Sequence, residues 1–347
     1  MAYTTIDDPS AYFQAKTYTG TGSSLAITND GNSNLQPDWL WIKNRGTVDE
    51  NVVHDSVRSV GKRLLTDGSQ AEATTTNQVT SFDTNGFTVP GGSNNTGASS
   101  NNYVAWQWKA SGSTTSNTDG TITSTVSANT TAGFSIVSYT GTGATATIGH
   151  GLGSAPKWVI VKQRSATRNW VVMHSGIGFT KYLYLDSNQA SNTGNFFNDT
   201  DPSSTVFNVV NDGGVNASSG TYIAYCFAPK KGYSKFGSYT GNGNADGTFI
   251  YTGFKPAMVI IKNSSRSSEN WNIIDNKRDG FNGSNENLAP NLSGTESSGN
   301  NRWDILSNGF KCRDTNNEVN ASGDTYIYMA FAENPFVSST GIPCTAR

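Results

Sequence analysis

The chain has 347 residues, a formal net charge of −2 and only 14% charged residues. The length allows two or three domains, and the near-neutral charge offers no basic face to nucleic acid. Gly, Ser, Thr and Asn fill the polar positions beside 11% aromatics. That balance differs from the highly charged, aromatic-poor signature of disorder and fits short strands joined by turn-rich loops.

Residues Met1–Gln14 lead in, without the basic and apolar regions of a secretory signal. Tyr-Thr-Gly-x-Gly then opens at Tyr18, and again at Tyr139 and Tyr239. Each copy reaches a proline (Pro37, Pro156, Pro256) followed six residues later by a lysine (Lys43, Lys162, Lys262). The repeat is domain-sized, far longer than the unit of a solenoid. WLWI, WVIV and AMVII between proline and lysine predict strands buried on both faces, with the proline at the strand start.

The first repeat continues through Val52-Val53-His54 to SFDTNGFTV, where Asn85-Gly86 predicts a hairpin. It closes with YVAWQW, Tyr103–Trp108. A small-polar stretch, residues 111–120, reads as a linker. TITSTV begins the second repeat, NWVVMH and the alternating YLYLD follow, and TYIAYCFAP closes it. The third starts almost at once. NWNIID parallels NWVVMH, WDILSNGFKC repeats the hairpin at Asn308-Gly309, and TYIYMAFAENPF closes the unit.

The predicted fold is all-β, with three tandem β-sandwich-like repeat domains of jelly-roll or lectin-like type. They span residues 1–110, 121–230 and 231–336, with a tail at 337–347; a barrel per repeat is the alternative. The second and third repeats are expected to pack rigidly and the first two to be joined more loosely. No convincing helical period and no apolar run of about 18 residues occurs, so no transmembrane helix is expected.

The recurring side chains invite chemistry. His54 and His174 each follow an apolar pair, with Asp275 at that place in the third repeat; His150 stands apart. One histidine per repeat is a poor zinc site, so structural roles are expected. Lys162 shares a strand face with Trp158 and Ile160, which predicts a lysine lying along an aromatic with its head in water or on a carboxylate. Periodic tryptophans (Trp39, Trp41, Trp106, Trp108, Trp170, Trp271) read as core, leaving non-repeated loop aromatics as the better sugar-stacking candidates. Asn29-Asp30-Gly31, Asp119-Gly120 and Asp246-Gly247 lack an EF-hand ligand set and read as turns. Asn216-Ala217-Ser218 reads as composition, not as a glycosylation site. Cys226, Cys312 and Cys344 form no CxxC spacing, so free thiols and a reducing cytosol are expected. No nucleophile elbow, HExxH or phosphate loop is present. The expectation is a non-enzyme with no catalytic residue, cofactor or metal.

MAYTTIDDPSAYFQ…YTGTG, GYSKFGSYTGNG…GFKPAMVIIK, TYIYMAFAENPF and the ending STGIPCTAR together carry a resemblance. The chain resembles an uncharacterised β-rich repeat family of virion structural and tail-fibre-like proteins of marine tailed bacteriophages. The resemblance implies a virion component, assembled in the host cytoplasm and partnered by capsid or tail proteins. It assigns no catalytic residues. A homo-oligomer is expected, with a trimer among the options, and without nucleic-acid binding or membrane insertion. Without a coiled-coil or collagen-like shaft, a decoration protein, knob or short spike fits better than a whole fibre. A host-glycan-binding module is the alternative, and a glycan depolymerase, needing two carboxyls across a cleft, a further one.

Overall fold

A computed structural model describes residues 3–278, 282–283 and 285–345. It is all-β and antiparallel throughout its named strand pairs, with one short 3-10 turn, Pro9–Ala11, and no α-helix among the described residues.

Each repeat builds the same four-stranded core, in the order opening, closing, middle, flanking. In the first repeat these are Phe13–Thr19, Asn102–Trp108, Trp39–Asn44 and Val52–Asp55. In the second they are Phe134–Thr140, Thr221–Phe227, Trp158–Gln163 and Val171–His174. In the third they are Ser234–Thr240, Thr325–Pro335, Phe254–Asn263 and Asn272–Asp275. The first two sheets extend beyond this core. The second gains an edge strand, Thr115–Asn117, from the stretch expected to be a linker. A smaller sheet accompanies each large one. It carries the predicted hairpins Ser81–Asp83/Gly86–Val89 and Trp303–Leu306/Gly309–Cys312, and in the second repeat the pair Ala146–Gly149/Val206–Val209.

The middle strands are buried at every position, as their unbroken apolar runs require. Alternation sends Leu40 and Ile42 toward the first repeat's own small sheet, and Val159 and Val161 toward the second's. The other face, Trp39 and Trp41, Trp158 and Ile160, Met258 and Ile260, enters one cluster shared by all three repeats. There Phe13 stacks on Phe331, Trp39 on Tyr225, and Trp158 packs against Trp271. All eight tryptophans are at most 1% exposed. The first joint is therefore closed by packed side chains, as the second is. Side chains far from the linker close it, so linker composition was a poor guide.

The Tyr-Thr-Gly-x-Gly motif ties the opening strand of each repeat to its closing strand. Its tyrosine stacks on the tyrosine of the closing strand, with centroids 5.0, 5.1 and 4.9 Å apart for Tyr18–Tyr103, Tyr139–Tyr222 and Tyr239–Tyr326. Its hydroxyl donates to a buried loop carbonyl, Thr96, Val215 or Val319. The first glycine is needed for space: a Cβ on Gly20, Gly141 or Gly241 would lie 2.2 Å from the carbonyl oxygen of Ala98, Ala217 or Ala321. Only the second glycine takes positive φ, at 76°, 71° and 64° for Gly22, Gly143 and Gly243.

Two local expectations shift. The hairpin turns are Thr84-Asn85 and Ser307-Asn308, one residue earlier than Asn-Gly. Gly86 and Gly309 instead let a neighbouring carbonyl approach, since a Cβ would sit 1.9 and 2.0 Å from the oxygens of Ile27 and Ile250. Pro256 lies inside its strand at a register shift, not at its start, where a missing donor is tolerated.

Candidate functional site

The residues singled out by repetition gather at the three seams between repeats, which close in a ring. The lysine of each repeat reaches back to the preceding repeat, the first reaching the third, while Asp55, His174 and Asp275 reach forward to the next.

The lysines show this best. All three are fully buried. Lys162 donates to its own Arg168 carbonyl at 2.6 Å and to the first repeat's Ser69 carbonyl at 3.0 Å. Lys262 reaches Glu269 and Asn263 within its repeat at 2.8 Å and Asn188 of the second at 3.5 Å. Lys43 reaches Asp49 at 2.8 Å and Ser293 of the third at 3.0 Å. The expected head in water or on a carboxylate is not what forms; backbone carbonyls take that place. Burial pulls each ammonium down to about 8, against nearby carboxylates that favour the charged form.

The ring N–H groups repeat the pattern. Trp170 donates to the Leu65 carbonyl at 2.7 Å and Trp271 to the Tyr184 carbonyl at 3.0 Å, while the side-chain amide of Asn51 reaches the Leu292 carbonyl at 2.8 Å.

The flanking strands place Asp55, His174 and Asp275 at one equivalent position, opposite Trp39, Trp158 and Met258. His174 thus matches Asp55 and not His54, a one-residue offset in the apolar-pair alignment. At the first–second seam, Asp55 accepts from Tyr225 Oη at 2.6 Å and from Arg58 Nε. Arg58 also meets Glu72, which pairs with Arg164 of the second repeat at 2.8 Å. The third–first seam repeats this: Asp275 accepts from Trp106 Nε1 at 2.9 Å and Arg278 Nε at 2.6 Å, Arg278 meets Glu296, and Glu296 pairs with Arg45 of the first repeat. Burial pushes the Asp275 carboxyl up, but Arg278 beside it and Trp106 above it bring it below the usual range.

Among the described residues the second–third seam carries no such network. His174 donates from Nε2 to the Tyr328 carbonyl at 3.3 Å and accepts the Gly176 N–H at Nδ1, 2.8 Å, which fixes its tautomer. Ile177 stands where Arg58 and Arg278 stand. Burial drives His174 down to about 3 and His54 down to about 4. His150 is also buried and lowered, with Nε2 facing the Ser203 carbonyl. The three histidines do not converge, and no cluster of three His, Cys, Asp or Glu suited to a metal occurs among the described residues. Cys226 and Cys312 are buried free thiols and Cys344 is half-buried.

Two surface cavities hold the remaining candidates. A groove of about 300 Å³ lies between the first and third repeats, with Gln14, Asp30, Asn276, Lys277 and Glu333 on its walls. Its carboxylates are engaged: Asp30 by Lys16 at 2.9 Å and Lys277 at 3.0 Å, Glu333 by Lys255 at 3.1 Å. Of the other Asp-Gly turns, Asp119 accepts from Asn117 and Asp246 pairs with Lys311. The second cavity, about 240 Å³, belongs to the second repeat and is lined by Arg168, Asn169, Val171, Tyr184, Phe196 and Asp212. Tyr182, Tyr184 and Phe196 form a half-buried aromatic patch, with Tyr182 and Phe196 centroids 4.6 Å apart. The cavity beside Asn270 in the third repeat keeps the asparagine but sets Leu292, Arg302 and Glu318 around it in place of the aromatics. These aromatics are not repeated, so the internal repeats do not mark them. The alternation of YLYLD was the available signal.

Comparison with known families matches residues 8–335 to a domain of unknown function, DUF7483. The chain belongs to the DUF7483 family. That one model runs through all three repeats, in keeping with the shared core. No curated protein and no solved structure matches the chain.

Proposed function

We propose that this DUF7483 chain is a non-enzymatic structural protein exposed on a tailed-phage particle, as a capsid decoration, knob or tail-fibre component. In this reading it is built from three tandem sandwich-like repeats locked into one body. The observation that carries the proposal is the use of the repeated polar residues. Lys43, Lys162, Lys262, Asp55, Asp275 and His174 are all spent on seams between repeats. A chain that commits its recurring polar groups to holding itself rigid has the design of a scaffold, and the terminal and repeat motifs resemble virion proteins. Its folding compartment in this reading is the bacterial cytoplasm, consistent with buried, unpaired Cys226 and Cys312. Mass spectrometry of purified virions, with immunogold labelling of intact particles, tests this. Peptides of this chain at stoichiometric copy number are expected. Their absence from particles that retain infectivity overturns the proposal.

A second reading has its own observation. The Tyr182/Tyr184/Phe196 patch beside Arg168, Asn169 and Asp212 combines apolar faces with planar polar groups, the pairing that binds sugar rings. In this reading the second repeat holds a host surface glycan. A glycan array with wild type and Tyr184→Ala decides it: signal lost in the variant supports the reading, and a blank wild-type array ends it.

A further inference from the structure

The smaller sheets offer an internal comparison. In the second repeat the outer edge of Ala146–Gly149 is covered by the chain's own lead-in. Ile122 bridges Ile148 in parallel, its N–H donates to the Thr147 carbonyl at 3.1 Å, and the Thr147 N–H donates to Thr121 Oγ1 at 2.9 Å. Ser124 Oγ closes the same edge on the Gly149 carbonyl at 2.8 Å. Ile122 is thereby buried.

Phe249–Tyr251 is the equivalent strand of the third repeat, and it lies at the edge of its sheet. Ile250 faces Phe310 as Ile148 faces Phe207. The bonds from Cys312 N to the Thr248 carbonyl and from Thr252 N to the Asn308 carbonyl set the alternation. By that alternation the N–H and C=O groups of Phe249 and Tyr251 point outward. Lys235 Nζ takes the Tyr251 carbonyl at 2.6 Å, the place of the Ser124 hydroxyl. The outward groups of Phe249, counterparts of the Thr147 pair that holds residues 121–122, meet no strand of this chain among the described residues. Phe249 and Tyr251 are 44% and 47% exposed. Beside them Lys235 lies 5.3 Å over the Tyr251 ring and Lys231 4.6 Å over the Tyr3 ring; neither pairs with a carboxylate among the described residues. The first repeat's edge, Leu25–Thr28, carries no aromatic and adjoins Asp30, so its character is different.

We propose that the Phe249–Tyr251 edge is a docking slot for an extended acidic segment of a partner protein, added as a parallel strand. Main-chain bonds to Phe249 would replace those that residues 121–122 make to Thr147, the exposed rings would flank the added strand, and Lys231 and Lys235 would meet its carboxylate. This is strand addition to an open sheet edge, with charge complementarity choosing the partner.

The probe is a fluorescein-labelled peptide with the sequence of residues 118–126, TDGTITSTV, which contains Asp119. Fluorescence anisotropy with the full chain is expected to give saturable binding that raises hydrogen-exchange protection at Phe249–Tyr251. Phe249→Pro removes one outward donor while leaving the inward ladder bonds, and is expected to weaken binding about tenfold. A peptide carrying Asp119→Lys should bind less well, and Lys231→Glu/Lys235→Glu in the protein should weaken the parent peptide, an arm that does not depend on the proline variant folding. No binding up to about 1 mM peptide, or equal affinity for wild type and all variants, overturns the proposal. So does concentration-dependent self-association that Phe249→Pro abolishes, which would make a second copy the occupant.

Discussion

Asp55→Asn tests the seam chemistry most directly. The substitution keeps shape and removes charge, leaving Arg58, whose side chain is fully buried, with Glu72 at 3.2 Å as its remaining anion. Tyr225 Oη also loses its charged acceptor. Breaking a buried ion pair from one side costs about 3–5 kcal/mol, most of it the penalty of the stranded charge. The chain also contains its own design for doing without the pair, because the second–third seam uses His174 and Ile177 at the same two places. The triple variant Asp55→Leu/Arg58→Ile/Tyr225→Phe removes both charges and the tyrosine hydroxyl at once, leaving Glu72 to Arg164, with the main-chain N–H at position 58 and the Val53 carbonyl as the groups that lose a partner. It is expected to lie within about 1–2 kcal/mol of wild type, since apolar replacement of buried pairs is often near neutral. Guanidinium unfolding followed by tryptophan fluorescence measures both, with an unchanged m-value showing that the same surface unfolds. A single variant within about 0.5 kcal/mol of wild type, or a triple variant costing more than the single, refutes the reasoning.

The buried histidines should share the acid limb of stability with the lowered carboxylates, Asp275 and Glu72 among them. His54 and His174 are held at about 4 and 3 when folded, below the unfolded value near 6.5. The unfolded chain therefore binds more protons between those values, and stability present above pH 6.5 is lost as pH falls through them. Asp67 and Asp186, raised to about 6 by burial, work the opposite way between about 6 and 4, so the net loss should steepen below pH 4. Urea midpoints against pH check this, and His174→Leu should flatten the limb. Gly141→Ala places a methyl against the Ala217 carbonyl and should cost more than about 2 kcal/mol, while Gly112→Ala, at positive φ but with nothing within 4 Å, should cost only about 1 kcal/mol. Tyr222→Phe removes one hydroxyl that both donates to Gly213 O and accepts from Ala217 N, a loss of about 1–3 kcal/mol in thermal or chemical unfolding.

The strands were legible because their signals are local. Unbroken apolar runs predicted burial on both faces, and the middle strands have it. Periodic tryptophans predicted core, and the rings are buried. What the sequence hid was the direction in which the lysines reach. Lys162 finds the carbonyl of Ser69, 93 residues away, and no spacing rule encodes a backbone acceptor in another repeat. The pairing of His174 with Asp55 was hidden for a similar reason. The residues after Val52-Val53 and Val171-Val172 align equally well in two frames, and only the register against Trp39 and Trp158 chooses between them. The small-polar stretch before Gly120 read as a linker because Thr115–Asn117 is a solvated edge strand, whose polarity matches that of a loop.

The seams are alike in layout and unlike in chemistry, and the difference has a consequence for assembly. Were all three the same, a repeat from one chain could replace a repeat of another at little cost, and domain swapping would compete with folding. Two seams instead demand a charge match: Asp55–Arg58–Glu72 needs Tyr225 and Arg164, and Asp275–Arg278–Glu296 needs Trp106 and Arg45. The remaining seam sets His174 and Ile177 against the third repeat and, among the described residues, offers no partner for a buried charge. A wrong pairing that put Asp275 or Asp55 against the apolar seam would strand a carboxylate or a guanidinium, at several kcal/mol. The order of repeats around the shared core is thus specified by side chains as well as by the covalent chain. A chain cut between Lys230 and Lys231 should therefore reassociate in the native order from its two pieces. Mixing the pieces at micromolar concentration and measuring recovery of the native fluorescence and sedimentation coefficient checks this, and pieces that form only homo-oligomers would contradict it.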